Sequence, residues 1–152
     1  MKNKIKSCVS FFLIVIMISV FMLPALAADD NVIGSKITFF VSPNWFMGHS
    51  VLSWYSSYKQ LTSFVFLQDY YDVNHPVSFM RVRPRIYNTN GVLVKDGGYM
   101  VNGASTSYAY ATVTYLNPPM TYYYAQGLVA AKDTSGTYME YNTSKTDKIF
   151  TS

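Results

Sequence analysis

The chain is poor in the groups that do covalent and acid–base chemistry. Of its 152 residues one is cysteine, Cys8, and two are histidine, His49 and His75. Cys8 sits in an N-terminal apolar run, so the chain beyond it has no thiol and no route to a disulfide. It contains no glycine-rich phosphate loop and no Gly-x-Ser-x-Gly nucleophile elbow. The carboxylates Asp69 and Asp72 are the nearest approach to an acid–base pair, but adjacent loop carboxylates are ordinarily just solvated. The sequence therefore reads as a protein that is not an enzyme. Charge is scarce too: 13% of residues are Asp, Glu, Lys or Arg, against about 25% in ordinary globular domains. No segment has helical periodicity, and no repeat or heptad run is present.

What is there begins with a three-part N-terminus. Lys2, Lys4 and Lys6 precede an apolar run over 8–23, and Ala25, Leu26 and Ala27 supply small residues at alternate positions ahead of Asp29 and Asp30. That layout predicts a secretory signal over 1–27, cleaved after Ala27 or Ala28. It resembles the signals of Gram-positive bacteria. An uncleaved anchor is the competing reading, since the run approaches the ~18 residues of a span; Pro24 and the small-residue site favour cleavage. Cleavage removes three of the 12 basic residues and leaves nine against eight acidic ones. A near-neutral mature chain lacks the global field that draws nucleic acid. The expected product is extracellular, with no stable membrane span once the signal is gone. It is organised as a flexible leader over 28–35 and one domain over 36–152, long enough to bury a core without disulfides.

The composition predicts an all-β domain. Aromatic residues make up 17%, with 14 Tyr, and Tyr, Phe, Val and Thr suit pleated, half-buried strands. Strands are expected over 36–41, 50–59 and 61–67, the last buried on both faces, with 45–49 a bulky apolar turn. Residues 78–87 alternate most cleanly: Met80, Val82, Pro84 and Ile86 share one face, and Arg81, Arg83 and Arg85 line the other. The arginine ladder can hold a phosphate, a carboxylate or an acidic glycan. It also fits edge protection, because Pro84 places the strand at a sheet edge or a bulge, and that reading is favoured. Asn88 to Gly91 predicts a hairpin. A three-residue loop with a left-handed Gly91 sets Ile86 against Val94 and Arg85 against Lys95. A two-residue turn instead sets Arg85 against Asp96. Burial of Val94 favours the longer loop.

Two tyrosine-rich strands over 105–116 and 121–131 flank a proline corner, and a last strand covers 137–143. Tyr108, Tyr110, Thr112, Thr114 and Leu116 share one face of the first; Ala109, Ala111, Val113 and Tyr115 share the other. If Tyr122 and Tyr124 point inward, alternation also buries Gln126, unless Gly127 marks a bulge that resets the phase.

Leu116, Pro118 and Tyr122, followed by the run to Ala131, Gly136 and Tyr138, resemble the last three strands of fibronectin type III and related immunoglobulin-like sandwiches. The resemblance implies an antiparallel β-sandwich with a tyrosine corner, in which the Tyr122 hydroxyl reaches back to Leu116 or Asn117. Trp45 and Trp54 are both candidates for the inner tryptophan. The family pattern has Thr where this chain has Met120, and the upstream part is longer than such modules, so a jelly roll stays open as the alternative sandwich.

Function is expected in the upstream loops. Trp45, Tyr55, Tyr58, Tyr70 and Tyr71 are rings that can stack on sugars or fill a partner's pocket. Asp69, Asp72 and Asn74 are oxygen ligands close in sequence, so calcium is conceivable. Their spacing fits no calcium loop and lacks its glycine, and a solvated turn is favoured with no cofactor. The expectation is a secreted binding module for an extracellular glycan or protein. The alternative is an exported bacteriocin-like or toxin-like effector acting on membranes or other cells.

Overall fold

The computed structural model describes residues 29–152, and the expected signal over 1–27 lies outside them. Thirteen strands follow in order: β1 (Asp30–Ile33), β2 (Ile37–Val41), β3 (Asn44–Tyr55), β4 (Gln60–Asp69), β5 (Met80–Arg83), β6 (Arg85–Asn88), β7 (Leu93–Asp96), β8 (Met100–Val101), β9 (Tyr108–Leu116), β10 (Tyr122–Ala125), β11 (Leu128–Lys132), β12 (Tyr138–Asn142) and β13 (Ile149–Phe150). Among the described residues the helical structure is a single 3₁₀ turn, Ser56–Tyr58. Every paired ladder is antiparallel, in one five-stranded and two four-stranded sheets.

The five-stranded sheet runs β1-β3-β4-β9, with β2 on the other half of β3. Asp30 to Ile33, expected as part of a loose leader, pairs with Val51 to Trp54 because alternation turns Val32 into the core. Residues 45–49, expected as a turn, lie inside β3: Phe46 faces inward at zero exposure while Trp45 and Met47 point out. The turn sits one step earlier, at Ser42 and Pro43, which share a cis bond.

The two four-stranded sheets, β13-β10-β6-β7 and β12-β11-β5-β8, lie end to end. Arg83 pairs with Leu128, and three residues along each strand Ile86 pairs with Ala125. The register passes through the break without a slip. The break falls at Pro84, which has no N–H to give, opposite Gln126 and Gly127. Of the two places that Pro84 indicated, a sheet edge or a bulge, the edge is excluded, because β5 and β6 each have a neighbour on both sides; Pro84 interrupts the ladder between them. Its carbonyl still accepts from Gly97 N at 2.9 Å.

The sheets face each other over two apolar clusters. One joins Phe39, Phe46, Val65 and Leu67 to Met80, Val82, Val129 and Ala131; the other joins Leu52, Trp54 and Leu61 to Ile86, Tyr123, Ala125 and Ile149. Trp54 is therefore the inner tryptophan and Trp45 the outer one. At Gly127, which packs against Val65, hydrogen bonds add to the packing between the sheets. The Ser50 and Thr143 hydroxyls lie 2.6 Å apart and both accept from Gly127 N.

The 88–92 hairpin has the expected three-residue loop, with Gly91 at φ +78°. Tyr87 pairs with Leu93, but Ile86 then pairs with Lys95 and Arg85 with Asp96. Val94 is the extra residue of a bulge, which half-buries it against the second cluster. The bulge reconciles the long loop with the pairing that the short turn implied.

The corner after β9 also differs in phase from its expectation. Tyr122 is 50% exposed, and the inward ring is Tyr123, at 2%. The Tyr123 hydroxyl donates to Pro119 O at 3.0 Å, the backward bond that Tyr122 was expected to make. Pro118 is buried and Leu116 points out. Tyr122 thereby faces outward, whereas Tyr124, on the same side of β10, is buried at 8% exposure between the stacked Tyr87 ring and Lys145, and the half-buried Gln126 donates to Thr143 O.

Asp29 and Thr151 are tied down at the same end of the sheets. Asp29 N donates to Trp54 O and Thr151 N to Thr121 O, while Asn117 N donates to Lys59 O beside them. The Trp45 and Tyr70 turn is roughly 30 Å away along β3.

Candidate functional site: an aromatic face on the five-stranded sheet

The strand pairings place the outward side chains of the five-stranded sheet in rows. Met47, Gln68 and Tyr108 make one row, His49, Phe66 and Tyr110 the next, and Val51, Phe64 and Thr112 the third. Phe64 to Leu67, expected to be buried on both faces, are fully buried on one only. Val65 and Leu67 are in the core, whereas Phe64 and Phe66 line an outward groove. Tyr108 and Tyr110 stand at its border, 54% and 59% exposed, because their neighbours Ala109, Ala111 and Val113 fill the core side.

The groove measures about 460 Å³ and is lined by Lys36, Met47, His49, Phe64, Phe66, Gln68, Tyr108 and Tyr110 together with Leu67. Its rings are near parallel. His49 lies 5.1 Å from Phe66 at 14°, Phe66 lies 6.3 Å from Tyr110, and Tyr110 lies 6.3 Å from Tyr108. Burial, reinforced by the nearby Lys36 ammonium, holds the His49 imidazole below its ordinary pKa. At neutral pH it is uncharged and offers one donor and one acceptor. The groove thus combines flat apolar surface with a few polar groups, the usual make-up of a binding site.

The aromatics expected to bind are divided by the fold. Trp45 and Tyr70 lie on this same outer face at its far end, where Trp45 packs on Phe40 at 5.2 Å and its carbonyl accepts from Tyr70 N. Tyr71, the most exposed of them at 69%, meets Tyr70 edge to face. Tyr55 shares the face at the opposite end, beside Tyr58 in the 3₁₀ turn. These two belong to the end where Asp29 and Thr151 are tied down, not to one site with the others.

The arginine ladder closes on itself. Arg81 pairs with Glu140 and lies between the rings of Tyr99 and Tyr138, 4.3 and 4.0 Å from their centroids. Arg83 grips Asp96 with two nitrogens and stacks on Tyr99. Arg85 donates to the Tyr87 hydroxyl. Hydrogen bonds from Arg83 hold the Asp96 carboxyl below the ordinary range. Two of the three guanidinium groups therefore already hold carboxylates of their own chain.

The acidic loop is likewise spoken for. Asp69 is 1% exposed, and its Oδ1 accepts from Tyr71 N and Val73 N while Oδ2 meets His75 Nε2 at 2.8 Å. The His75 ring stacks on Phe79 at 4.4 Å. Asp72 takes the Ser107 hydroxyl, and Asn74 is exposed. Asp69, Asp72 and Asn74 share no partner, and among the described residues no three His, Cys, Asp or Glu side chains converge as metal ligands.

Phe64, Phe66, Tyr108 and Tyr110 were not among the expected binding residues. Their signal was present as two aromatic-x-aromatic spacings, and only the pairing of β4 with β9 sets them side by side. Compared with protein-family models and with curated proteins, the chain matches none.

Proposed function

We propose that this is a secreted binding module that holds its ligand on the outer face of the five-stranded sheet. The observation that carries the reading is the contrast between the two outer faces. On the arginine face Arg81 and Arg83 are taken by carboxylates of the chain and Arg85 by the Tyr87 hydroxyl, whereas the opposite face leaves a ring-lined groove open. A contiguous exposed apolar patch on a single domain marks an interaction site. Near-parallel rings beside a neutral imidazole and the Gln68 amide suit the faces and hydroxyls of sugar rings, so an extracellular glycan is the preferred ligand over a protein.

The arrangement of strands supports an immunoglobulin-like sandwich. With β3 counted as the first strand and each end-to-end pair (β5 with β6, β7 with β8, β10 with β11, β12 with β13) as one, the first, second and fifth strands, β3, β4 and β9, share a sheet with one another. The third, fourth, sixth and seventh share the other, with the fourth beside the third, as in that fold. The pair β1 and β2 is an addition to it. The backward tyrosine bond at the corner belongs to the same pattern.

Binding to a panel of cell-wall polysaccharides and secreted proteins, measured by pull-down and calorimetry, tests the reading. Tyr108→Ala with Tyr110→Ala is expected to weaken affinity about 100-fold without loss of folding, since both side chains are exposed. Full affinity in that double variant would remove the groove from the proposal.

A further inference from the structure

β9 is an edge strand whose free side is unprotected. Asp69 N donates to Ser107 O and Asn117 N donates to Lys59 O, and the register between those bonds is uninterrupted from Tyr108 to Leu116. Odd-numbered residues of β9 therefore exchange bonds with β4, and Tyr110, Thr112 and Thr114 present their N–H and C=O groups to the open side. Such an edge is a template for another strand.

The other edges of the described residues carry devices that prevent this. β1 and β2 are short and separated at Gly34 to Lys36; β1 bears Asp30, and Lys36 flanks the start of β2. β7 and β8 are separated at Gly97 and Gly98 and bear Lys95 and Asp96. β12 and β13 are separated over 143–148; β12 carries Glu140, and Lys148 flanks the two-residue β13. β9 has nine residues, no glycine, no proline, no bulge and no charge, and it lies in a stretch over 97–131 without a charged residue. A groove of about 300 Å³ beside Tyr108 and Tyr110, walled by Val101 to Ala104 and Thr106, leaves room alongside its first residues.

We infer that β9 pairs antiparallel with β9 of a second copy of this chain. Around a two-fold axis at Thr112, that residue meets its own mate, and Tyr110 meets the partner subunit's Thr114. Aromatic to β-branched pairs across strands are favourable, and neutrality removes the like-charge contacts that self-pairing would otherwise create. A strand from a different protein lacks that guaranteed match. The pairing doubles the five-stranded sheet and brings two aromatic faces into one surface.

Sedimentation of the purified protein over a range of concentrations tests this. A concentration-dependent dimer is expected. Thr112→Lys and Thr112→Glu, both at an exposed position, are each expected to be monomeric with unchanged circular dichroism, and their mixture is expected to form a heterodimer. Hydrogen exchange of the unaltered protein gives a second measurement: the Tyr110, Thr112 and Thr114 amides gain protection as concentration rises. A monomer at the highest attainable concentration, which would leave the edge to a foreign strand, overturns the inference. So does a Thr112→Lys dimer as stable as the original, a mixture that stays monomeric, or edge amides that exchange freely at all concentrations.

Discussion

Gly127→Ala is expected to destabilise the fold by about 3 kcal/mol, at the upper end of what overpacking a core costs. The reason is space, not backbone conformation. A Cβ at Gly127 would stand 2.2 Å from Cγ2 and 3.0 Å from Cγ1 of Val65, and 2.9 Å from Arg83 O. Val65 belongs to the facing sheet at zero exposure, so the methyl group has no direction in which to move. Separating the sheets there would also stretch the contacts of Gly127 N with the Ser50 and Thr143 hydroxyls. Urea unfolding measures the loss. Val65→Ala in the same chain removes both clashing methyls and is expected to recover about 1 kcal/mol relative to the sum of the single variants. The Arg83 carbonyl keeps the recovery partial. A near-neutral Gly127→Ala would mean that the sheets are less tightly held than their geometry implies.

Asp69→Ala is expected to cost about 3 kcal/mol, because three donors lose a buried charged acceptor. Burial raises the Asp69 carboxyl, and the bonds from His75, Val73 and Tyr71 more than offset it, leaving the group below its ordinary range. The sign of the pH dependence follows. With the folded-state pKa depressed, the unfolded chain binds the proton more readily, so the contribution of Asp69 is fully present above about pH 4 and fades as pH falls further. Asp69→Asn should be less stable at pH 7 and should flatten the decline below pH 4. Asp96 and Glu140 are depressed as well, so a residual slope is expected to survive. Equal acid sensitivity in Asp69→Asn and the unaltered chain would place the proton uptake elsewhere.

The core faces of the second sheet were legible because their alternation is chemically unambiguous. Met80, Val82 and Ile86 cannot trade places with Arg81, Arg83 and Arg85 without burying charge, and they do not. Tyrosine gives no such instruction, since it suits either face of a sheet. The phase of β10 was therefore set by what precedes it. Asn117 at φ +49° turns the chain so that Tyr123 and not Tyr122 points in. Gly127 was recognisable as the point where alternation resets, but its close approach to Val65 depends on a strand sixty residues away. The groove was hidden for the same reason: Phe64 to Phe66 and Tyr108 to Tyr110 become neighbours only through pairing over a long separation. The arginines were legible as a line with Asp96 beside it, but neither the grip of Asp96 on Arg83 nor the arrival of Glu140 from β12 was.

The shared end at which Asp29 and Thr151 are tied down governs how the molecule can be presented. A label, a bead or a second protein joined at Asp29 or Thr151 sits at that end. Trp45, Tyr70 and Tyr71 then point directly away from the attachment, and the groove lies along the flank. A layer of molecules immobilised in this way stands upright, with its far tips first in the path of anything that approaches and its grooves opening sideways onto their neighbours.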